Sequence, residues 1–220
     1  MNILTPTADG SNTFFSEQIG EHYHSKHGAL QESQHVFINA GLLEAKTGKT
    51  ELSIFEVGFG TGLNFLLSLD YCIQSELRLN YTSVEAYPLS HAELSATGYQ
   101  NFVHAAAWET LQNGYTIALQ GEAPLPGGGS FNIPVTSFQD FQTTDQFDLL
   151  YYDAFSVRHQ PELWTDECIA HAASLLKPGG IFVTYAITGK LKRALKAAGC
   201  EIEKLPGAPG KREMLRARRF

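Results

Sequence analysis

The chain has 220 residues and lacks any run approaching the ~18 uninterrupted apolar residues that a membrane span needs. Its opening residues, Met1-Asn2-Ile3-Leu4-Thr5-Pro6, carry neither a basic cluster nor an apolar stretch, so no secretion signal and no membrane partner are expected. Cysteine is scarce. Cys72, Cys168 and Cys200 are odd in number and far apart, which fits reduced thiols and a cytoplasmic setting. No Cys pair has metal spacing. His22, His24 and His27 lie close together but lack a fourth ligand or a carboxylate at helical spacing, so no metal is expected. The phosphate loop G-x-x-x-x-G-K-[ST] is also missing, which removes support for a nucleoside triphosphate. Charged residues make up only 18% and hydrophobic ones 43%, an ordinary globular balance for one domain of this length.

The segment Ile54-Phe55-Glu56-Val57-Gly58-Phe59-Gly60-Thr61-Gly62-Leu63-Asn64 reads as a buried strand, a glycine turn and the start of a helix. Gly58, Gly60 and Gly62 let the backbone turn sharply and approach a ligand that a Cβ would obstruct. A dinucleotide fingerprint needs a small residue at position 63, and Leu63 stands there. Glu-x-Gly-x-Gly-x-Gly instead resembles the first motif of S-adenosylmethionine-dependent methyltransferases. That ligand has no phosphates and carries a sulfonium and an ammonium, so Glu56 suits it. Tyr81-Thr82-Ser83-Val84-Glu85-Ala86 reads as a second strand ending in an acid, placed to accept from both ribose hydroxyls.

Strands are expected over 52–57, 79–85, 147–152 and 181–186, and helices over 62–75, 89–97, 102–113, 166–176 and 189–198. This alternation predicts an α/β doubly wound fold. Lys177-Pro178-Gly179-Gly180 is expected to stop a helix and turn the chain into the next strand. Pro124–Gly129 reads as a loop or hairpin tip, and 200–205 with 213–219 as an antiparallel pair around Pro206–Arg212. Residues 1–50 break the alternation and are expected to form an extension covering the pocket of a domain at 51–220.

Net charge is −7, unevenly spread. Residues 1–185 hold 6 Lys and Arg against 20 Asp and Glu, whereas residues 186–220 hold 10 against 3. A basic end on an acidic body would orient a polyanion, although Lys192 and Lys196 could equally solvate a helix face.

A second constellation is Phe147-Asp148-Leu149-Leu150-Tyr151-Tyr152-Asp153-Ala154-Phe155-Ser156, a buried strand ending in Asp-Ala-Phe. An acid followed by an aromatic resembles the motif of methyltransferases acting on amino nitrogens, although Asp153 could also cap the next segment. With Pro161-Glu162-Leu163-Trp164, Phe182-Val183-Thr184-Tyr185 and Pro206-Gly207-Ala208-Pro209-Gly210-Lys211-Arg212-Glu213-Met214, the chain resembles the MnmC methyltransferase family. Asp9-Gly10-Ser11 and His35-Val36-Phe37-Ile38 match less strictly. The resemblance implies a class I, Rossmann-like, mostly parallel seven-stranded sheet with a C-terminal antiparallel hairpin. It implies transfer of a methyl group from S-adenosylmethionine to 5-aminomethyl-(2-thio)uridine at the tRNA wobble position, with the anticodon stem-loop as partner. Asp153 would be catalytic. Tyr152, Phe155 and Tyr23 are candidates for stacking on the base, and Lys211 and Arg212 would meet tRNA phosphate, unless Arg212 braces a carboxylate of the site. Glu56, Gly58, Gly60, Gly62, Glu85, Ala86 and Ser137 would hold the cofactor. The family's usual Gly-Asp pair is replaced by Val135-Thr136-Ser137-Phe138, which leaves Ser137, Asp140 or a backbone carbonyl for the adenine amino group. The family's flavin oxidase domain has no counterpart before Phe220, so methylation alone and no flavin are expected. Alternatives of the same fold are a methyltransferase for a small amine or a protein, and a non-catalytic scaffold.

Overall fold

The computed structural model describes residues 1–220. Strands β1 (Asn2–Pro6), β2 (Asn12–Ser16) and β3 (Glu21–His22) form a small antiparallel sheet. The chain then runs through α1 (Ala29–Ser33), a π-helical stretch (Gln34–Leu42) and α2 (Leu43–Ala45). From there the alternation takes over: β4 (Glu51–Val57), α3 (Leu63–Gln74), β5 (Arg78–Val84), α4 (His91–Ala96), α5 (Ala105–Ala118), β6 (Ala123–Pro124), β7 (Ser130–Asn132), β8 (Phe147–Tyr152), α6 (Asp166–Ser174), β9 (Leu176–Thr184), α7 (Gly189–Ala197), β10 (Cys200–Pro206) and β11 (Glu213–Arg219).

The main sheet has order β10-β11-β9-β8-β4-β5-β7-β6. Strands β9, β8, β4, β5 and β7 are parallel, and β11 with β10 closes one edge antiparallel. The resemblance implies seven strands and the residues locate six, but the sheet has eight. The two not located are β7, three residues parallel to β5, and β6, two residues folded back antiparallel on β7. Such short pairing leaves no periodicity to read.

The chain leaves β4 toward β5 and later returns to β8 on the other side of β4. The carboxyl ends of β4 and β8 are therefore a topological switch point, where open α/β sheets hold their ligands. Side chains alternate across the sheet with period two. Leu52 and Ile54 enter one core with Phe37, Leu42 and Tyr151, and Phe55 and Val57 enter the other with Leu150 and Phe182. Glu56 has the parity of Leu52 and Ile54, so the fold buries a carboxylate beneath helices.

Two expectations need correction. Residues 1–50 are not a cover alone, because Val36, Phe37, Ile38 and Leu42 belong to the main core. Lys177-Pro178-Gly179-Gly180 does not separate helix from strand. It bulges within β9, whose register with β8 jumps between Phe147↔Leu176 and Leu149↔Ile181. Pro178 has no N–H for the ladder and Gly179 takes φ of +79°, while the Lys177 side chain beside them bonds Asp148 and Ser53. Burial raises the Asp148 acid, but Lys49, Ser53 and Lys177 outweigh it and hold that acid at about 2.

Candidate active site

A cavity of about 600 Å³ opens at the switch point. Its floor is the glycine turn. Gly58, Gly60 and Gly62 have φ of +88°, +52° and +74°, a region that side chains disfavour. A Cβ on Gly58 would come within 3.3 Å of the Asp153 carbonyl, and one on Gly60 within 3.0 Å of the Tyr23 ring. Gly62 caps α3, which places Asn64 in its first turn.

Asn64 joins the two expected acids. Its amide donates to Glu56 at 3.0 Å and to Asp153 at 2.8 Å. Its own carbonyl and the second oxygen of Glu56 have no partner although both are buried. Glu56 does not line the cavity; it acts on it from behind, through Asn64. Burial pushes the Glu56 acid up to about 8, and Asn64 offsets only part of that. Asp153 is raised well above the usual carboxylate range, first by burial and then by the charges of Glu56 and Glu32, with Asn64 and Lys211 opposing.

A folded Glu56 keeps its proton to about pH 8, whereas an unfolded one loses it near 4.5. Between those values the folded state binds more protons, so its stability falls as pH rises. Glu56→Gln keeps an acceptor for Asn64 and removes the titration. The variant is expected to lose less thermal stability than wild type between pH 5 and pH 8, by about 2 kcal/mol or more. Parallel unfolding curves for the two proteins across that range would count against the assignment.

Glu85 lies at the other end of the turn and lines the cavity. Its carboxylate accepts from the backbone N–H of Gly60 at 3.0 Å and of Tyr87 at 2.9 Å. Burial raises it despite those bonds. Ala86 and Tyr87 follow on the rim, with Tyr87 67% exposed. Ser137 also lines the cavity, but its hydroxyl donates to Asp140 at 2.7 Å. Of the groups considered for adenine, Asp140 is not on the wall, whereas Thr136 and Gln139 are.

The N-terminal segment crosses the mouth. Tyr23 meets Phe155 edge-on with ring centres 5.0 Å apart. Glu21 accepts from the Ser156 backbone at 2.8 Å and pairs with His159 at 3.3 Å. The nearby histidines diverge. His24 is buried and bonds Thr13 at 3.0 Å, and burial lowers it to about 4. His22 packs on Phe15, and the His27 ring lies against Gly210.

Lys211 points into the cavity. It pairs with Glu32 at 2.6 Å and lies 3.8 Å from the centre of the Tyr185 ring. This ammonium is already paired within the site, with about a third of the side chain left exposed. Arg212 is exposed on the Pro206–Arg212 turn and braces no carboxylate. Tyr185 in turn donates to the Ala154 carbonyl at 2.9 Å, fixing the backbone beside Asp153. Asn64, Glu32 and Tyr185 line the cavity with no role assigned to them from the sequence. Asn64 stood within the quoted glycine segment, and its amide at the helix start was the available signal.

The arrangement fits S-adenosylmethionine. A glycine cradle admits close backbone contact, the cavity collects carboxylates for a cationic ligand, and the orphaned Asn64 carbonyl awaits a donor.

The comparisons with known proteins agree. Residues 131–219 match a family of S-adenosyl-L-methionine-dependent methyltransferases. The chain is 33% identical over 220 residues to the tRNA 5-methylaminomethyl-2-thiouridine biosynthesis bifunctional protein MnmC of Nitrosospira multiformis, covering 91% of this chain and 34% of that protein. It is 30% identical to the protein of the same name from Ralstonia nicotianae, covering 96% of this chain and 34% of that protein. The chain thus spans about a third of the length of these curated relatives. Among solved structures, MnmC2 from Aquifex aeolicus superposes with a TM-score of 0.78 at 24% identity, covering 99% of this chain and 70% of that one. The fold is that of class I S-adenosylmethionine-dependent methyltransferases.

Proposed function

This chain belongs to the MnmC family as the counterpart of its methyltransferase part, and from that premise we propose that it methylates the 5-aminomethyl group of a tRNA wobble uridine. The observation that carries the proposal is the Asn64 amide held between Glu56 and Asp153 at the mouth of the glycine turn. It supports Asp153, a carboxylate with raised proton affinity on the cavity wall, as the group that meets a small amine.

S-adenosylmethionine supplies a methyl group already activated on a positive sulfur, so the protein's part is mainly positioning. Gly58 and Gly60 would pass backbone close to it, Glu85 would take the ribose hydroxyls, and Ala86 with Ser137 would border the adenine. Asp153 orients the substrate amine and accepts the proton that the nitrogen must lose. A primary amine is largely protonated near pH 7, by analogy with lysine. An ordinary carboxylate is too weak a base for that proton; burial moves Asp153 toward the useful range. Phe155 and Tyr23 offer rings to a base turned out of its anticodon stack.

The test is methyl transfer to tRNA carrying 5-aminomethyl-uridine, read by mass spectrometry of the nucleosides. One methyl group on the amine is expected. A protein that binds S-adenosylmethionine but labels no tRNA would sink the tRNA reading and point to a small amine or a protein. Conversion of 5-carboxymethylaminomethyl-uridine by this chain alone would overturn the expected substrate form.

A further inference from the structure

The 10 Lys and Arg residues beyond position 185 do not make one free surface. Lys211 is held by Glu32 inside the cavity. Arg216 pairs with Glu203 and Glu44, and Arg218 with Glu44. Arg219 donates to the Ser174 and Leu176 carbonyls. These arginines fasten the C-terminal hairpin to α2 and to the end of α6.

Helix α7 differs. Leu191, Ala194 and Leu195 are buried, whereas Lys190, Arg193 and Lys196 are exposed and form no ion pair. Their spacing of three puts them on one face, with successive residues about 4.5 Å apart along the axis. The acids nearby are few. Glu167 on α6 lies close enough to Lys190 to be lowered slightly by it, Glu201 is exposed on β10, and Glu203 is already taken by Arg216. The helix begins four residues after Tyr185, which lines the cavity. The Arg193 guanidinium folds back toward that end, 3.3 Å from where a Gly189 Cβ would stand.

We propose that the face Lys190–Arg193–Lys196 is the phosphate-docking surface for the RNA stem that delivers its base to the cavity. The proposal rests on the tRNA reading above. Residues 1–185 hold 20 acids against 6 bases, so most of the body repels a polyanion and this stripe sets the orientation.

Each phosphate contact adds about 0.9 to the slope of log affinity against log salt. The test compares tRNA binding by wild type, the combined variant Lys190→Ala, Arg193→Ala, Lys196→Ala, and Arg218→Ala, at salt from about 50 to 200 mM. Thermal unfolding and S-adenosylmethionine binding serve as fold controls. The combined variant is expected to flatten the slope by about two to three units and to weaken low-salt binding at least about tenfold. Arg218→Ala should keep the wild-type slope, because that guanidinium is already paired with Glu44. An unchanged slope and affinity in the combined variant, with a wild type that methylates tRNA, would overturn the α7 surface alone. A wild type that does not bind tRNA would overturn the surface and the tRNA reading together.

Discussion

Asp153→Asn is expected to slow methyl transfer by about 10²–10⁴-fold under single-turnover conditions, the usual contribution of a positioned acid or base. The substitution keeps the shape of the side chain and an oxygen for Asn64 to donate to, at 2.8 Å in the wild type. It removes the basicity that burial and the neighbouring Glu56 and Glu32 confer. Affinity for S-adenosylmethionine should change little, because asparagine keeps the shape and the Asn64 bond beside the glycine turn, and Glu85 is untouched. The pH profile sharpens the test. In wild type the rate should rise with pH as Asp153 and the substrate amine shed protons, and in the variant only the amine should contribute. A variant that transfers methyl at the wild-type rate would make Asp153 a structural residue.

Gly60→Val is expected to weaken S-adenosylmethionine binding by about 100-fold or more. Gly60 has φ of +52°, and its Cβ would stand 3.0 Å from the Tyr23 ring. A β-branched residue there adds strain of about 1–3 kcal/mol. It also displaces the ring that packs on Phe155 and fills the floor of the cavity. Gly48→Val separates the two effects. Gly48 has φ of +73° with nothing within 4 Å, so it shares the strain without touching the site. Calorimetry should show the affinity loss only for Gly60→Val. Equal losses in both variants would mean that strain, and not the shape of the cavity, is responsible.

What could be read from the sequence followed the range of the interaction. The glycine turn and the acids ending β4, β5 and β8 were legible because a strand, a turn and a helix start are encoded within about ten residues. Glu32 was not legible. It precedes a π-helical stretch, Gln34–Leu42, that breaks the 3.6-residue period by which a core helix is recognised. Its partner, Lys211, stands 179 residues away. The same distance misled the reading of the C-terminal charges. Counting saw a basic tail, but Arg216 and Arg218 meet Glu44, more than 170 residues earlier. Glu56 was read as a direct ligand contact. Strand parity, visible in Leu52 and Ile54, already placed it on the covered face.

The pairing of Glu32 with Lys211 also sets a clock on synthesis. A ribosome adding 5–20 residues per second needs roughly 10–40 s to pass from one to the other. Through that interval the chain carries Glu32 without the cation that it meets in the folded protein. The early α/β units have local partners and are free to fold as they emerge. The cavity wall must wait, because Glu32 and Lys211 close it from segments far apart in the chain. A nascent chain therefore exposes an unfinished acidic mouth until the segment carrying Lys211 has emerged, and the finished ion pair marks a chain in which both segments have folded.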